Sequence, residues 1–252
     1  MKYFIITGAG SGLGEALAKQ VIEEHHKVFC ISRKINEKLK ELASLHKTGF
    51  WYFEIDLTDS EKTTSLMKEI FTYIDQDNAI EITLINNAGI VEPVKPLGTS
   101  NADEINEHIK INFTAPVILS NDFIRESERF NCKKNIVMIS SGAASNPYYG
   151  WALYCSTKAA LEMVTRTVAL EQKDKSYPVK IFAIAPGILD TKMVEKLRNS
   201  DLSDFPMRPK FEKLFDQGKL TPPEDAASGI FEMLKVDLLP NGSITDLRNA
   251  AG

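Results

Sequence analysis

Apolar positions along this chain follow two spacings that take turns from one end to the other. Residues 2–7 form a short β-rich run that stops at a glycine cluster, and residues 13–24 place Leu13, Leu17, Val21 and Ile22 on one helical face. The alternation continues. Strands are predicted over 27–32, 50–55, 82–86, 135–140, 179–185 and 243–246, with helices over 36–47, 59–75, 101–129, 152–173 and 223–235. Seven strands separated by helices predict one α/β domain over 1–252, with a mostly parallel sheet covered by helices on both faces, because parallel neighbours need a crossover connection. Residues 190–222 break the rhythm: they carry Pro206, Pro209, Pro222 and Pro223 among many charges, and read as a partly helical excursion. Such a segment is either a lid over a site or a surface loop.

Composition narrows the partners. The 30 basic and 34 acidic residues leave a formal net charge of −4 with no Lys/Arg-rich run, so neither nucleic acid nor an anionic membrane is an expected partner. No apolar stretch approaches about 18 residues, and Gly8 arrives too early for a signal-peptide core, so the chain is expected in the cytoplasm. Cys30, Cys132 and Cys155 lie far apart without CxxC spacing and read as reduced thiols. His25, His26, His46 and His108 lack zinc-ligand spacing and are expected at the surface or at helix ends, so no metal is implied.

The first strand runs into Thr7-Gly8-Ala9-Gly10-Ser11-Gly12-Leu13-Gly14, which satisfies TGxxxGxG through Gly8, Gly12 and Gly14 but not GxGxxG. Between a strand and an amphipathic helix, glycines let the chain turn at positive φ and let a pyrophosphate approach the backbone at a helix N-terminus. The arrangement predicts a dinucleotide site. An NAD site usually places an acid about 20 residues further on, to hold the ribose hydroxyls. Here the second strand ends in Ser32-Arg33-Lys34. Arg33 can form charge-assisted bonds to a 2′-phosphate, so the expected cofactor is NADP(H).

Tyr154 and Lys158 are four apart in a predicted helix and share a face, and Ser141 ends a strand 13 residues before Tyr154. This Ser-x12-Tyr-x3-Lys arrangement in a dinucleotide-binding chain resembles the short-chain dehydrogenase/reductase family over nearly the whole length. Asp56-Leu57 resembles the family's adenine-side acid, Asn86-Asn87-Ala88-Gly89 its NNAG turn, Asn112 its helix asparagine, and Pro186-Gly187 with Thr191 the turn beside the nicotinamide. The resemblance implies a single Rossmann-type doubly wound domain that binds NADP(H) and assembles as a homodimer or homotetramer. It also implies that Lys158 binds the nicotinamide ribose and Asn112 holds a water between Lys158 and solvent. Ser11 departs from the pattern, since many NADP-using members carry Lys or Arg there, and this leaves phosphate recognition mainly to Arg33.

Hydride arriving at a carbonyl carbon leaves negative charge on oxygen, so Tyr154 is the expected acid, its pKa lowered by Lys158 together with the cationic oxidised nicotinamide, and Ser141 the holder of the oxygen. Residues 150–155 and 185–193 are similar to those of sepiapterin reductases, a subgroup that includes reductases of aromatic α-diketones. The expected substrate is therefore a small-molecule ketone or diketone, namely an aromatic or conjugated α-diketone reduced at one carbonyl (benzil to (S)-benzoin) or a sepiapterin-like molecule. A reductase of a 3-oxoacyl thioester or steroid ketone is the alternative enzyme, and a non-catalytic NADPH-binding sensor the alternative of another class. Trp151 is either a wall for a flat substrate or core packing, and Asp246 resembles the subgroup's pterin-anchoring aspartate.

Overall fold

A computed structural model describes residues 1–235 and 239–249. Seven strands form one sheet: β1 (Lys2–Thr7), β2 (Lys27–Ser32), β3 (Phe50–Glu54), β4 (Glu81–Asn86), β5 (Lys133–Ile139), β6 (Val179–Ala185) and β7 (Ile244–Asp246). Their order is β3-β2-β1-β4-β5-β6-β7 and every pairing is parallel.

The period-2 pattern is buried on both sides. Phe4 and Ile6 of β1 pack into a core with Leu13, Leu17 and Val21 of α1 (Gly12–Glu23), Leu39 of α2 (Glu37–His46) and Ile230 of α9 (Pro223–Lys235). Tyr3 and Ile5, pointing the other way, pack with Leu66 of α3 (Ser60–Ile70), Phe123 of α5 (Ala115–Ser127) and Leu161 of α6 (Ala152–Glu171). Strands sandwiched in this way read as nearly continuous apolar runs.

The chain leaves the edge at β3 and returns to place β4 beside β1, so the strand order reverses between them. Beyond the carboxyl ends of strands at such a switch point lies the usual ligand crevice of an open α/β sheet.

Two expectations about helices need correction. The predicted helix over 59–75 stops at Ile70, where Thr72 and Tyr73 turn tightly onto Glu69 and Ile70 and the Tyr3 hydroxyl accepts from the Asp75 N–H. The predicted helix over 101–129 is not regular: α4 (Ala102–Ile109) starts at an Asn101/Glu104 capping box, widens into a π turn over Lys110–Thr114, and only then becomes α5. The excursion at 190–222 holds α7 (Lys192–Arg198) and α8 (Arg208–Asp216). Its ends are clamped side by side, with Asp190 N–H donating to Thr221 O and Thr221 N–H to Ile188 O, both at 2.9 Å.

Candidate functional site

At the switch point the glycine turn closes on itself. Gly8 (φ +69°) and Gly12 (φ +59°) are left-handed, and a Cβ on Gly14 would sit 2.2 Å from the Gly8 carbonyl oxygen. The Thr7 hydroxyl accepts from the Asn87 and Ala88 N–H groups, both at 2.9 Å, and the Asn87 amide donates back to Thr7 O at 2.9 Å. The Thr7–Gly14 and Asn86–Gly89 turns are thus one unit. Thr191, just before α7, packs over Gly12, its Cγ2 lying 3.1 Å from where a Gly12 Cβ would stand. Ser11 is exposed at the α1 N-terminus and its side chain caps nothing, whereas Leu13 is a core residue that offers a ligand only its backbone. Backbone at a helix start that Ser11 leaves uncapped fits the pyrophosphate of a dinucleotide.

Beside this turn, the Ser32 hydroxyl donates to Lys34 O at 2.7 Å and lies 2.6 Å from the Tyr52 hydroxyl. Arg33 and Lys34 are left exposed at the strand end. Asp56 accepts from the Thr58 N–H and hydroxyl at 2.9 Å, and these bonds, with the Arg33 charge nearby, hold its carboxyl below the usual range. Leu57 is buried next to it.

The chemical residues meet one strand further along. β5 ends at Ile139, and Ser141 follows in extended conformation, its hydroxyl accepting from Ala143 N–H at 3.2 Å and within hydrogen-bonding reach of Tyr154. Tyr154 and Lys158 project from one face of α6 with the Lys158 Nζ 5.7 Å from the Tyr154 ring centre. Lys158 Nζ donates to Ile139 O at 2.7 Å, and burial pulls its pKa down to about 8. Burial pushes the Tyr154 phenol up, and the Ser141 hydrogen bond offsets part of that rise. The enclosure acts on both groups, and removing a charged phenolate from water outweighs the hydrogen bond that favours it, so Lys158 by itself does not bring the tyrosine below its ordinary value.

Asn112 sits in the π turn. Its Oδ1 accepts from Ile90 N–H at 2.8 Å, and its Nδ2 donates to Ile90 O at 2.7 Å and lies 2.9 Å from His108 Nε2. Gly89 leaves open the space that Asn112 Oδ1 and Lys158 Nζ share, at 3.3 and 3.8 Å from where its Cβ would be. His108 was expected at a surface or helix end. It is at the end of α4 but completely buried, with Nδ1 2.6 Å from Glu92 O, Nε2 3.3 Å from the Thr157 hydroxyl, and its ring edge-on to Tyr154. The signal available was its spacing of four residues from Asn112.

The rim above the site is aromatic. Trp151 is buried, stacked on Phe205 at 4.9 Å between ring centres and 5.1 Å from Tyr154, with Phe211 and Tyr148 at its edges. Phe205 and Phe211 come from the 190–222 excursion, so Trp151 joins that segment to the start of α6. Pro186 is buried, and Gly187 turns at φ +85°. Asp246 ends β7, and both its carboxylate oxygens are taken by Arg248. Among the described residues no cluster of His, Cys, Asp and Glu has the arrangement of a metal site, and no helix is long and apolar enough to cross a membrane.

A glycine turn at the switch point of a parallel sheet, continuous with half-buried Ser141 and buried Tyr154 and Lys158, defines a dinucleotide-dependent oxidoreductase. The family described as short chain dehydrogenase matches residues 2–202. A benzil reductase ((S)-benzoin forming) of Bacillus cereus is 41% identical over 244 residues, covering 97% of this chain and 98% of the relative. A sepiapterin reductase of Rattus norvegicus is 27% identical, covering 96% and 94%. Among solved structures, the KRED1-Pglu enzyme superimposes with a TM-score of 0.83 at 25% identity, covering 97% of this chain and 100% of the other. ElxO with NADP bound gives 0.79 at 25%, covering 98% and 96%. The chain belongs to the short-chain dehydrogenase/reductase family, with its Rossmann-like fold. It is an oxidoreductase acting on CH–OH/C=O groups of small molecules with a nicotinamide cofactor.

Proposed function

We propose that the protein is an NADPH-dependent reductase of small aromatic or conjugated vicinal dicarbonyls, reducing one carbonyl and leaving the other, as in the conversion of benzil to (S)-benzoin. The observation that carries the reading is the convergence of half-buried Ser141 with buried Tyr154 and Lys158, the Lys158 Nζ lying 5.7 Å from the Tyr154 ring centre. Its substrate class is supported by the benzil reductase at 41% identity and by the aromatic rim around Trp151.

Thr7, Gly8, Ser11, Gly12, Leu13, Gly14 and Thr191 would hold the cofactor's pyrophosphate side, Asp56 and Leu57 its adenine, and Asn87, Ala88, Gly89, Pro186 and Gly187 its nicotinamide end. Arg33, exposed at the strand end where an NAD site would carry an acid, would take the 2′-phosphate. When bound, the reduced nicotinamide supplies the hydride. Tyr154, kept neutral by burial, donates its phenolic proton to the carbonyl oxygen while the Ser141 hydroxyl donates a hydrogen bond to the same atom. The Lys158 ammonium stabilises the phenolate that remains and returns a proton to it, and Asn112 Oδ1 lines the path by which solvent recharges Lys158. Residues 190–222 act as a lid, with Phe205 and Phe211 closing over Trp151 to keep water from the reacting centre.

The test is turnover of benzil, a 3-oxoacyl thioester and a steroid ketone, each with NADPH and with NADH. Benzil with NADPH is expected to exceed the other substrates and the other cofactor at least tenfold in kcat/KM. Arg33→Ala should erase most of the cofactor preference. Comparable kcat/KM across the substrates would overturn the dicarbonyl assignment, and equal use of the two cofactors would overturn the NADPH assignment.

A further inference from the structure

The end of the sheet brings an unassigned cation to the mouth of the site. Arg248 folds back onto Asp246 in a fork, Nε to Oδ1 at 2.8 Å and Nη2 to Oδ2 at 2.5 Å, with its own backbone N–H on Oδ1 at 3.0 Å. The same side chain reaches across two turns of the site. Its Nη2 lies 3.7 Å from where a Cβ on Gly142, the residue after Ser141, would stand, and its Cδ lies 3.7 Å from that of Gly187. Of the guanidinium's N–H donors, only Nε–H and one on Nη2 are spent on Asp246. The side chain remains 62% exposed, so the other donors stay accessible to a ligand at the turns it spans.

We infer that Arg248 is a specificity-determining residue that donates hydrogen bonds to the second oxygen of a vicinal dicarbonyl while Ser141 and Tyr154 hold the first. The inference rests on the dicarbonyl reading above and assigns its recognition element. Two oxygens on adjacent carbons need two sets of donors side by side, and Nη2 stands beside the residue that follows Ser141. Asp246 gives the donor its character. The bidentate partner fixes the guanidinium plane, so little rotamer freedom is lost on binding, and it cancels the charge, so a neutral carbonyl gains from the directional N–H bond while a carboxylate gains little Coulomb attraction. The same fork leaves Asp246 unavailable to the N–H donors of a pterin unless the ion pair opens. A site built to hydrogen-bond a particular oxygen rejects the analogue that lacks it, because the donors are then left unpaired.

The experiment compares benzil with deoxybenzoin, in which a methylene replaces one carbonyl, in the wild type, Arg248→Met, Arg248→Lys and the double variant Asp246→Asn/Arg248→Met. The double variant removes any effect of an unpaired Asp246. The expected result is a wild-type benzil/deoxybenzoin ratio of kcat/KM that falls at least tenfold in both Met variants and by less in Arg248→Lys, with thermal melts reporting that each variant is folded. Should the Met variants not fold, the Lys variant alone decides by whether the ratio falls. A wild-type preference for benzil that survives every substitution would overturn the role of Arg248 and leave the dicarbonyl reading standing. Absence of that preference in the wild type would overturn both.

Discussion

The ring of His108 and the amide of Asn112 hold each other in one orientation. Ile90 settles the amide, since its N–H must find Oδ1 and its carbonyl must find Nδ2. The second hydrogen on Nδ2 then points at His108 Nε2, 2.9 Å away, which makes that nitrogen an acceptor and puts the ring proton on Nδ1, facing Glu92 O. Burial pushes the His108 pKa down and keeps the ring neutral, consistent with this tautomer. His108 thus completes the hydrogen bonding of Asn112, which lines the space in front of Lys158, and is expected to act as a positioning residue.

Replacing His108 by Leu leaves a buried amide hydrogen without an acceptor, at a cost of about 1–3 kcal/mol in stability. A loosened Asn112 should lower kcat about tenfold with little change in KM. His108→Gln restores an acceptor and should recover much of kcat. The unfolded chain takes up a proton on this histidine below about pH 6.5 that the folded protein resists, so wild-type stability falls there as pH drops. His108→Leu should lack that slope in denaturant melts. A variant with wild-type kcat would reduce the ring to packing.

Tyr154→Phe removes the proposed proton donor and should lower kcat by a factor of at least about 100, the low end of general-acid contributions. Because the hydroxyl serves the transition state, the NADPH Kd from fluorescence titration should stay within about twofold. Ser141→Ala should lose less. Retention of about a tenth of kcat by Tyr154→Phe would assign the proton to another group.

Lys158 sets a pH limit. With its pKa near about 8, the ammonium form is lost above that value, and kcat/KM for ketone reduction should fall by about tenfold per pH unit beyond it. Stability runs the opposite way. Between about 8 and the ordinary lysine value of 10.5 the unfolded chain binds a proton that the folded protein does not, so this residue's contribution to stability rises with pH. Lys158→Met should flatten the stability difference. A reductase activity level to pH 10 would contradict the assignment.

Gly150 tests the lid. It turns at φ +80° just before Trp151, and a Cβ there would meet Asp204 O at 2.2 Å. Gly150→Ala must displace Asp204 and draw Phe205 off Trp151. Strain at the left-handed turn and loss of that stacking should cost about 1–3 kcal/mol and raise KM for the ketone severalfold. An unchanged KM in a destabilised protein would make the segment a structural cover only.

Much of the architecture was written locally. The strand runs of β1 and β6, the glycine turn and the helical spacing of Tyr154 and Lys158 depend on neighbours a few residues away, through pleat, helix pitch and turn chemistry, and the sequence by itself determined them. Tertiary structure decided what those patterns meet. The π turn shifts helix phase by an extra residue, which no apolar period announces, and it carries Asn112 to Ile90, 22 residues away, while the packing of α4 brings His108 to Thr157, 49 residues away. Enclosure rather than the neighbouring charge set the direction of the Tyr154 pKa, and burial cannot be read from Tyr-x-x-x-Lys spacing. Arg248 and Asp246 are two residues apart, yet their place at the mouth follows from β7 pairing with β6, which brings the chain's end back beside Gly142 and Gly187. Contacts of that kind come from the order of strands in the sheet, and side chains far apart along the chain acquire a shared chemistry only once that order is set.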